Sequence, residues 1–181
     1  FLRHPFLSLI AKNRMLFDDI SDIELNECFM CWKNECDERF DQLKENEQEI
    51  NRIFIEIYGL QDELNPDVDE KDVTVRKADL QRDVKSFLSY VVGCMFGRYS
   101  LSQEGLAFAG GDFDSVKYTG YLPDEDNVIP LTDQKYMDDD IVERLCEFLK
   151  LVYGEKSLET NLDFIANALG GKGSTSREII R

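Results

Sequence analysis

Histidine is almost missing from this sequence: His4 is the only one in 181 residues. Nucleophilic catalysis with a histidine base therefore has a single candidate, and it stands directly before Pro5. Long hydrophobic runs are missing too. The longest, Tyr90 to Phe96, contains Gly93 and falls far short of the ~20 residues that cross a bilayer, so no membrane partner is expected. Proline (4) and glycine (11) are too few for a collagen-like or proline-rich chain. Basic charge is scarce: 21 Lys and Arg face 37 Asp and Glu, a net charge of -16. This excludes a generic nucleic-acid binder that uses its whole surface, because neutralising phosphates needs clustered cations. A local basic patch stays open.

The cysteines are Cys28, Cys31, Cys36, Cys94 and Cys146. An odd number, three of them on one expected helix, fits free thiols in a reducing compartment, so the expected location is cytoplasmic. Cys28 and Cys31 have zinc-ligand spacing but no second pair, and no metal is expected. Asp112-Phe113-Asp114 begins like a calcium loop, yet Lys117 stands where the loop needs glycine. Gly170 to Thr175 looks like a phosphate loop only at a glance. Gly173 separates Lys172 from Ser174, and a helix precedes the turn where a strand is required.

Charge is unevenly distributed. Residues 1–17 hold three bases and no acid, residues 18–72 hold 19 acids and 5 bases, residues 73–101 hold 5 bases and 2 acids, and the remainder holds 16 acids and 8 bases. The basic stretch, Arg76, Lys77, Arg82, Lys85 and Arg98, is the candidate DNA-binding set. Arg82 and Lys85 are three apart and share a helix face. The competing reading is that these cations offset neighbouring acids.

The hydrophobic pattern is helical. Phe29, Trp32, Cys36, Phe40, Leu43, Ile50, Phe54 and Ile57 recur at steps of three, four or seven, which predicts one amphipathic helix from Asp22 to Tyr58, capped by Gly59. Such an arm is expected to pack partly on sequence outside this chain. A second helix is expected from Asp79 to about Phe96, a third from Asp139 to Tyr153 with the aspartates 138–140 at its start, and a fourth from about Leu158 to Leu169. Between Arg98 and Pro130, glycines and aromatics suggest turns and one or two short strands. Thr175 and Glu178 have capping-box spacing and open another helix. The expected class is mainly α: an N-terminal segment (1–21), a long amphipathic helix (22–60), and a helical domain (61–181) with a short irregular or β insert at about 98–135. The chain is expected to be a piece of a larger protein.

The run Asn51-Arg52-Ile53-Phe54-Ile55-Glu56-Ile57-Tyr58-Gly59-Leu60-Gln61-Asp62-Glu63-Leu64 resembles a stretch of the large adenine-specific DNA methyltransferases of BREX phage-defence systems (PglX type). Shorter Tyr-Gly-Leu endings occur in related restriction–modification methyltransferases. Lys71 to Leu80, Ser89 to Leu101, Glu104 to Gly111 and Leu158 to Ala166 look similar as well, so the resemblance covers most of the chain from about residue 36. It implies methyl transfer from S-adenosylmethionine to the exocyclic nitrogen of adenine in DNA. It also implies an Asn/Asp-Pro-Pro-Tyr/Phe motif for the target base. Here the prolines are Pro5, Pro66, Pro123 and Pro130, never adjacent, and no glycine-rich turn follows a strand. Catalytic and cofactor residues are therefore expected outside this chain, and none is assigned within it. The implied role is a non-catalytic helical segment that supports DNA target recognition. Its implied partners are DNA, the rest of the methyltransferase chain and other defence-system proteins. The alternative is an acidic helical protein–protein interaction module that never touches DNA.

Overall fold

A computed structural model describes residues 6–7, 23–137 and 139–181. His4, Asp138 and nearly all of the expected N-terminal segment lie outside the described residues. Five α-helices are present among these residues: α1 (Leu25–Tyr58), α2 (Leu80–Met95), α3 (Ile141–Tyr153), α4 (Leu158–Leu169) and α5 (Ser176–Ile180). No strand occurs among them. The chain divides into two compact units, Phe1–Phe29 with Leu80–Arg181, and Met30–Asp79.

The first unit is a helical bundle. α4 lies against α2, α3 and α5, and α2 lies against α3. Each main helix buries the stripe its period predicts: Val84, Phe87, Val91 and Met95 on α2, Leu145, Phe148, Leu149 and Val152 on α3, Leu162 and Ile165 on α4. Rings fill the centre. Phe87 meets Phe6 at 5.3 Å between centroids and Phe148 and Tyr153 at 6.1 Å each. The fully buried Tyr153 hydroxyl donates to the Phe6 carbonyl at 2.9 Å, which satisfies a polar group that burial would otherwise penalise.

Helix ends follow local chemistry. Asp140 Oδ1 accepts from the Val142 and Glu143 amides, both at 3.0 Å, and its other oxygen accepts from Arg181. Gly170 closes α4 in the left-handed region at φ 68°. The Thr175 hydroxyl accepts from the Glu178 amide at 3.3 Å, and the Glu178 carboxylate reaches back to the Ser174 amide at 2.8 Å.

The insert between α2 and α3 is irregular. The short strands expected there are absent from the described residues. Single, scattered bonds hold it instead: Ala107 amide to Arg98 carbonyl at 3.0 Å, Asp124 amide to Met95 carbonyl at 2.8 Å, Tyr121 hydroxyl to Arg144 carbonyl at 3.0 Å. Asp114 caps a 3-10 turn, Ser115–Lys117, by accepting from the Val116 amide at 3.2 Å.

The second unit is the body of α1 and the segment that follows it. Asn51 donates to the Pro66 carbonyl at 3.2 Å, and Lys77 Nζ sits 4.3 Å from the centre of the Phe40 ring. These contacts trace residues 66–77 back along the helix, covering Phe40 (5% exposed) with Val73 (8%) also buried.

Candidate nucleic-acid interface

α2 is amphipathic, so its buried stripe fixes what faces water. Arg82, Lys85, Ser86 and Ser89 are all exposed and recur at three- and four-residue steps, which puts them on one face. Two cations with two hydroxyl donors are suited to phosphate oxygens. Lys85 has no ion-pair partner among the described residues. Arg82 Nε donates to Asp83 Oδ1 at 2.8 Å, and Asp83 is only 7% exposed. A buried carboxylate needs such a partner, so Arg82 carries a structural duty alongside any phosphate contact. Arg98, just past α2, is exposed and lies 5.9 Å from the Tyr99 ring centre.

Arg76 and Lys77 belong to the other compact unit. Arg76 is exposed. Lys77 pairs with Glu70 at 3.3 Å and covers Phe40, so much of its charge is already engaged. Acids of α1 find cations within their own helix: Asp37 with Lys33 at 2.7 Å, Glu35 with Arg39 at 3.3 Å, and Glu49 with Arg52. The structure thus groups Arg82 and Lys85 on one helix and leaves Arg76 and Lys77 in a different unit. Ser86 and Ser89 escaped the reading of charges alone. Their spacing from Arg82, four and seven residues, was the available signal.

Other chemistry is quiet. Among the described residues no three His, Cys, Asp or Glu side chains gather to hold a metal. Cys28, Cys36, Cys94 and Cys146 are buried and Cys31 is exposed. Burial pushes the Cys94 thiol up to about 11, and it pushes the Tyr90, Tyr121 and Tyr153 hydroxyls above their ordinary range. None of these groups is activated as a nucleophile. A crevice of about 540 Å³ beside the insert is lined by Phe96, Phe108, Phe113, Tyr118, Asp124 and Glu125, and those carboxylates disfavour phosphate. No described helix is long and apolar enough to cross a membrane.

No protein-family model matches the chain. Curated proteins do match it, and both of the following are adenine-specific methyltransferases. Over 155 residues it is 54% identical to the adenine-specific methyltransferase PglX of Lacticaseibacillus casei (strain Zhang), covering 84% of this chain and 13% of that protein. Over 173 residues it is 31% identical to the adenine-specific methyltransferase BrxX of Escherichia coli O9:H4 (strain HS), covering 80% of this chain and 14% of that protein. The chain is a homologue of a segment of these BREX-type methyltransferases, and it spans about one seventh or less of their length.

A glycine-rich turn of the kind that holds S-adenosylmethionine is absent from the described residues. Among the described residues no strand leads through a glycine-rich turn into a helix, and the one Gly-Gly turn near a helix, at Gly170, closes α4 at its C-terminus.

Proposed function

We propose that this chain is a non-catalytic helical segment of a cytoplasmic bacterial adenine-specific DNA methyltransferase acting in phage defence. In this reading the parent enzyme takes its methyl group from S-adenosylmethionine held elsewhere in the polypeptide. The segment supports target recognition, with the α2 face of Arg82, Lys85, Ser86 and Ser89 touching DNA phosphates and Arg98, with Arg76 and Lys77 of the other unit, as further contacts. The observation that carries the reading is 54% identity over most of the chain to only 13% of a protein named as an adenine-specific methyltransferase. The missing Pro-Pro pair adds to it, since base-clamping chemistry then has to come from other sequence. Methyl transfer tests the division of labour. The parent enzyme labels adenine in DNA from a tritiated methyl donor, and this chain alone does not. Label transferred by this chain alone would overturn the non-catalytic assignment.

A second reading, a protein-interaction module with no DNA contact, is favoured by one observation: the far end of α1 leaves large apolar side chains uncovered, with Ile57 and Tyr58 each 69% exposed.

A further inference from the structure

The last two and a half turns of α1 carry an apolar surface that its own unit leaves largely open. Ile50 is 52% exposed, Ile53 47%, Phe54 54%, Ile57 69% and Tyr58 69%. At 3.6 residues per turn these five occupy an arc of roughly 140°, broader than a chance scatter of surface apolar groups. Phe54 and Tyr58 stack on each other, 6.3 Å apart and 12° from parallel. Beyond them Leu60 and Leu64 form the opposite wall of a groove of about 370 Å³. The segment returning from Gly59 protects Phe40 further back on the same stripe, so the stripe is covered at one end and open at the other. Isolated exposed leucines need no explanation, but a contiguous patch on a heptad-spaced stripe does.

One border of the patch is acidic. Glu49 and Glu56 run along one edge on α1, with Asp62 and Glu63 in the turn beyond the helix. Arg52 engages Glu49, which leaves the others to a partner. In an antiparallel pair a second copy of this chain would set the Glu49 and Glu56 edge against its own, acid against acid, so self-pairing is disfavoured. An apolar stripe flanked on one side by carboxylates selects a helix with an apolar face bordered by Lys and Arg.

We infer that the Ile50–Tyr58 surface is the seat of a basic-bordered amphipathic helix supplied by another part of the same methyltransferase polypeptide. The source follows from length: a relative that matches 84% of this chain has 87% of its own sequence elsewhere, tethered at high effective concentration. This rests on the proposed function, because it takes this chain to be part of such a polypeptide. The occupant inserts an apolar side chain between Phe54, Tyr58 and Leu64 and pairs cations along one border with Glu56.

The test places a benzophenone-bearing amino acid at Ile57 in the full-length parent enzyme, followed by irradiation and peptide mapping. The expected product is an intramolecular cross-link into a helical stretch whose apolar positions, three and four apart, are bordered by Lys or Arg. A cross-link between two copies, a link only to another protein, a link into an acidic stretch, or no link at all overturns the inference. Phe54→Asp with Ile57→Asp supplies a second measurement. It lowers the melting temperature of the parent and leaves that of this chain unchanged; equal effects in both would mean that the patch is covered within this chain, against the inference. Methyl transfer by the unmodified parent is measured in parallel. A parent that cross-links as expected but leaves DNA unmethylated refutes the functional reading and not the docking.

Discussion

The Leu25 amide donates to the side-chain oxygen of Asn161 at 2.7 Å across 136 residues of sequence. The first N–H groups of a helix have no partner within it, and here a residue of α4 supplies one for α1. The amide nitrogen of the same fully buried Asn161 donates to the Ile23 carbonyl and to Ser157 Oγ, each at 3.3 Å. One side chain thus joins the start of the long helix to the bundle.

Replacing it leaves a buried donor and a buried acceptor unsatisfied. Asn161→Ala is expected to destabilise the bundle by about 2–3 kcal/mol. Urea unfolding checks the magnitude, and hydrogen exchange at the Leu25 amide checks the location. A change below about 0.5 kcal/mol, the scale of ordinary surface substitutions, would mean that water replaces both bonds.

Stability should fall in alkali. Burial raises the Cys94 thiol from 9.0 to about 11, and the hydroxyls of Tyr90, Tyr121 and Tyr153 also rise through burial. A raised folded pKa means that the unfolded chain loses its proton first. The stabilisation from the neutral thiol is complete below pH 9.0 and is lost progressively as pH rises toward about 11. Urea midpoints across that window are expected to decline, and Cys94→Ala is expected to flatten part of the decline. A wild-type midpoint that stays level through the window would contradict the assignment.

Gly93 is needed for space. A β-carbon there would stand 2.5 and 2.7 Å from two atoms of the Tyr99 ring, which stacks on Tyr90 with centroids 5.1 Å apart. Gly93→Ala therefore pushes Tyr99 away and is expected to cost about 1–3 kcal/mol, although alanine favours a helix. Near-ultraviolet circular dichroism should report the displaced tyrosine pair. A variant as stable as wild type, with its aromatic signal intact, would show that the ring has somewhere else to go.

Much of the bundle was legible in the sequence because its signals are local. α4 runs from Leu158 to Leu169 and stops at Gly170, as periodicity and the glycine pair suggest. α3 begins after Asp140, the last of three acids where acids favour a helix start. The insert was less legible, since a strand exists only if a partner pairs with it. Leu106, Ala107 and Phe108 have strand-like composition, yet Ala107 makes one backbone–backbone bond, to Arg98, and no ladder follows. The stripe on α1 shows the same limit. Its period marks Phe40 and Phe54 alike, but one is 5% and the other 54% exposed, because the cover is non-local. On α2, spacing put Arg82 and Lys85 together. It gave no sign that Arg82 holds Asp83, because adjacent helical residues do not ordinarily face each other.

The distinction between those two cations selects the decisive variant. Arg82→Ala would remove the 2.8 Å partner of a buried carboxylate, whereas Lys85 is exposed and its truncation leaves the fold intact. The measurement is duplex binding by the full-length parent enzyme with Lys85→Ala, across a range of salt and on several DNA sequences. Loss of one phosphate contact is expected to weaken binding by a similar factor on every sequence and to reduce the log–log salt slope by about 1. Unchanged affinity and slope would contradict a DNA-facing role for α2, and a change confined to the preferred sequence would contradict its assignment to the phosphate backbone.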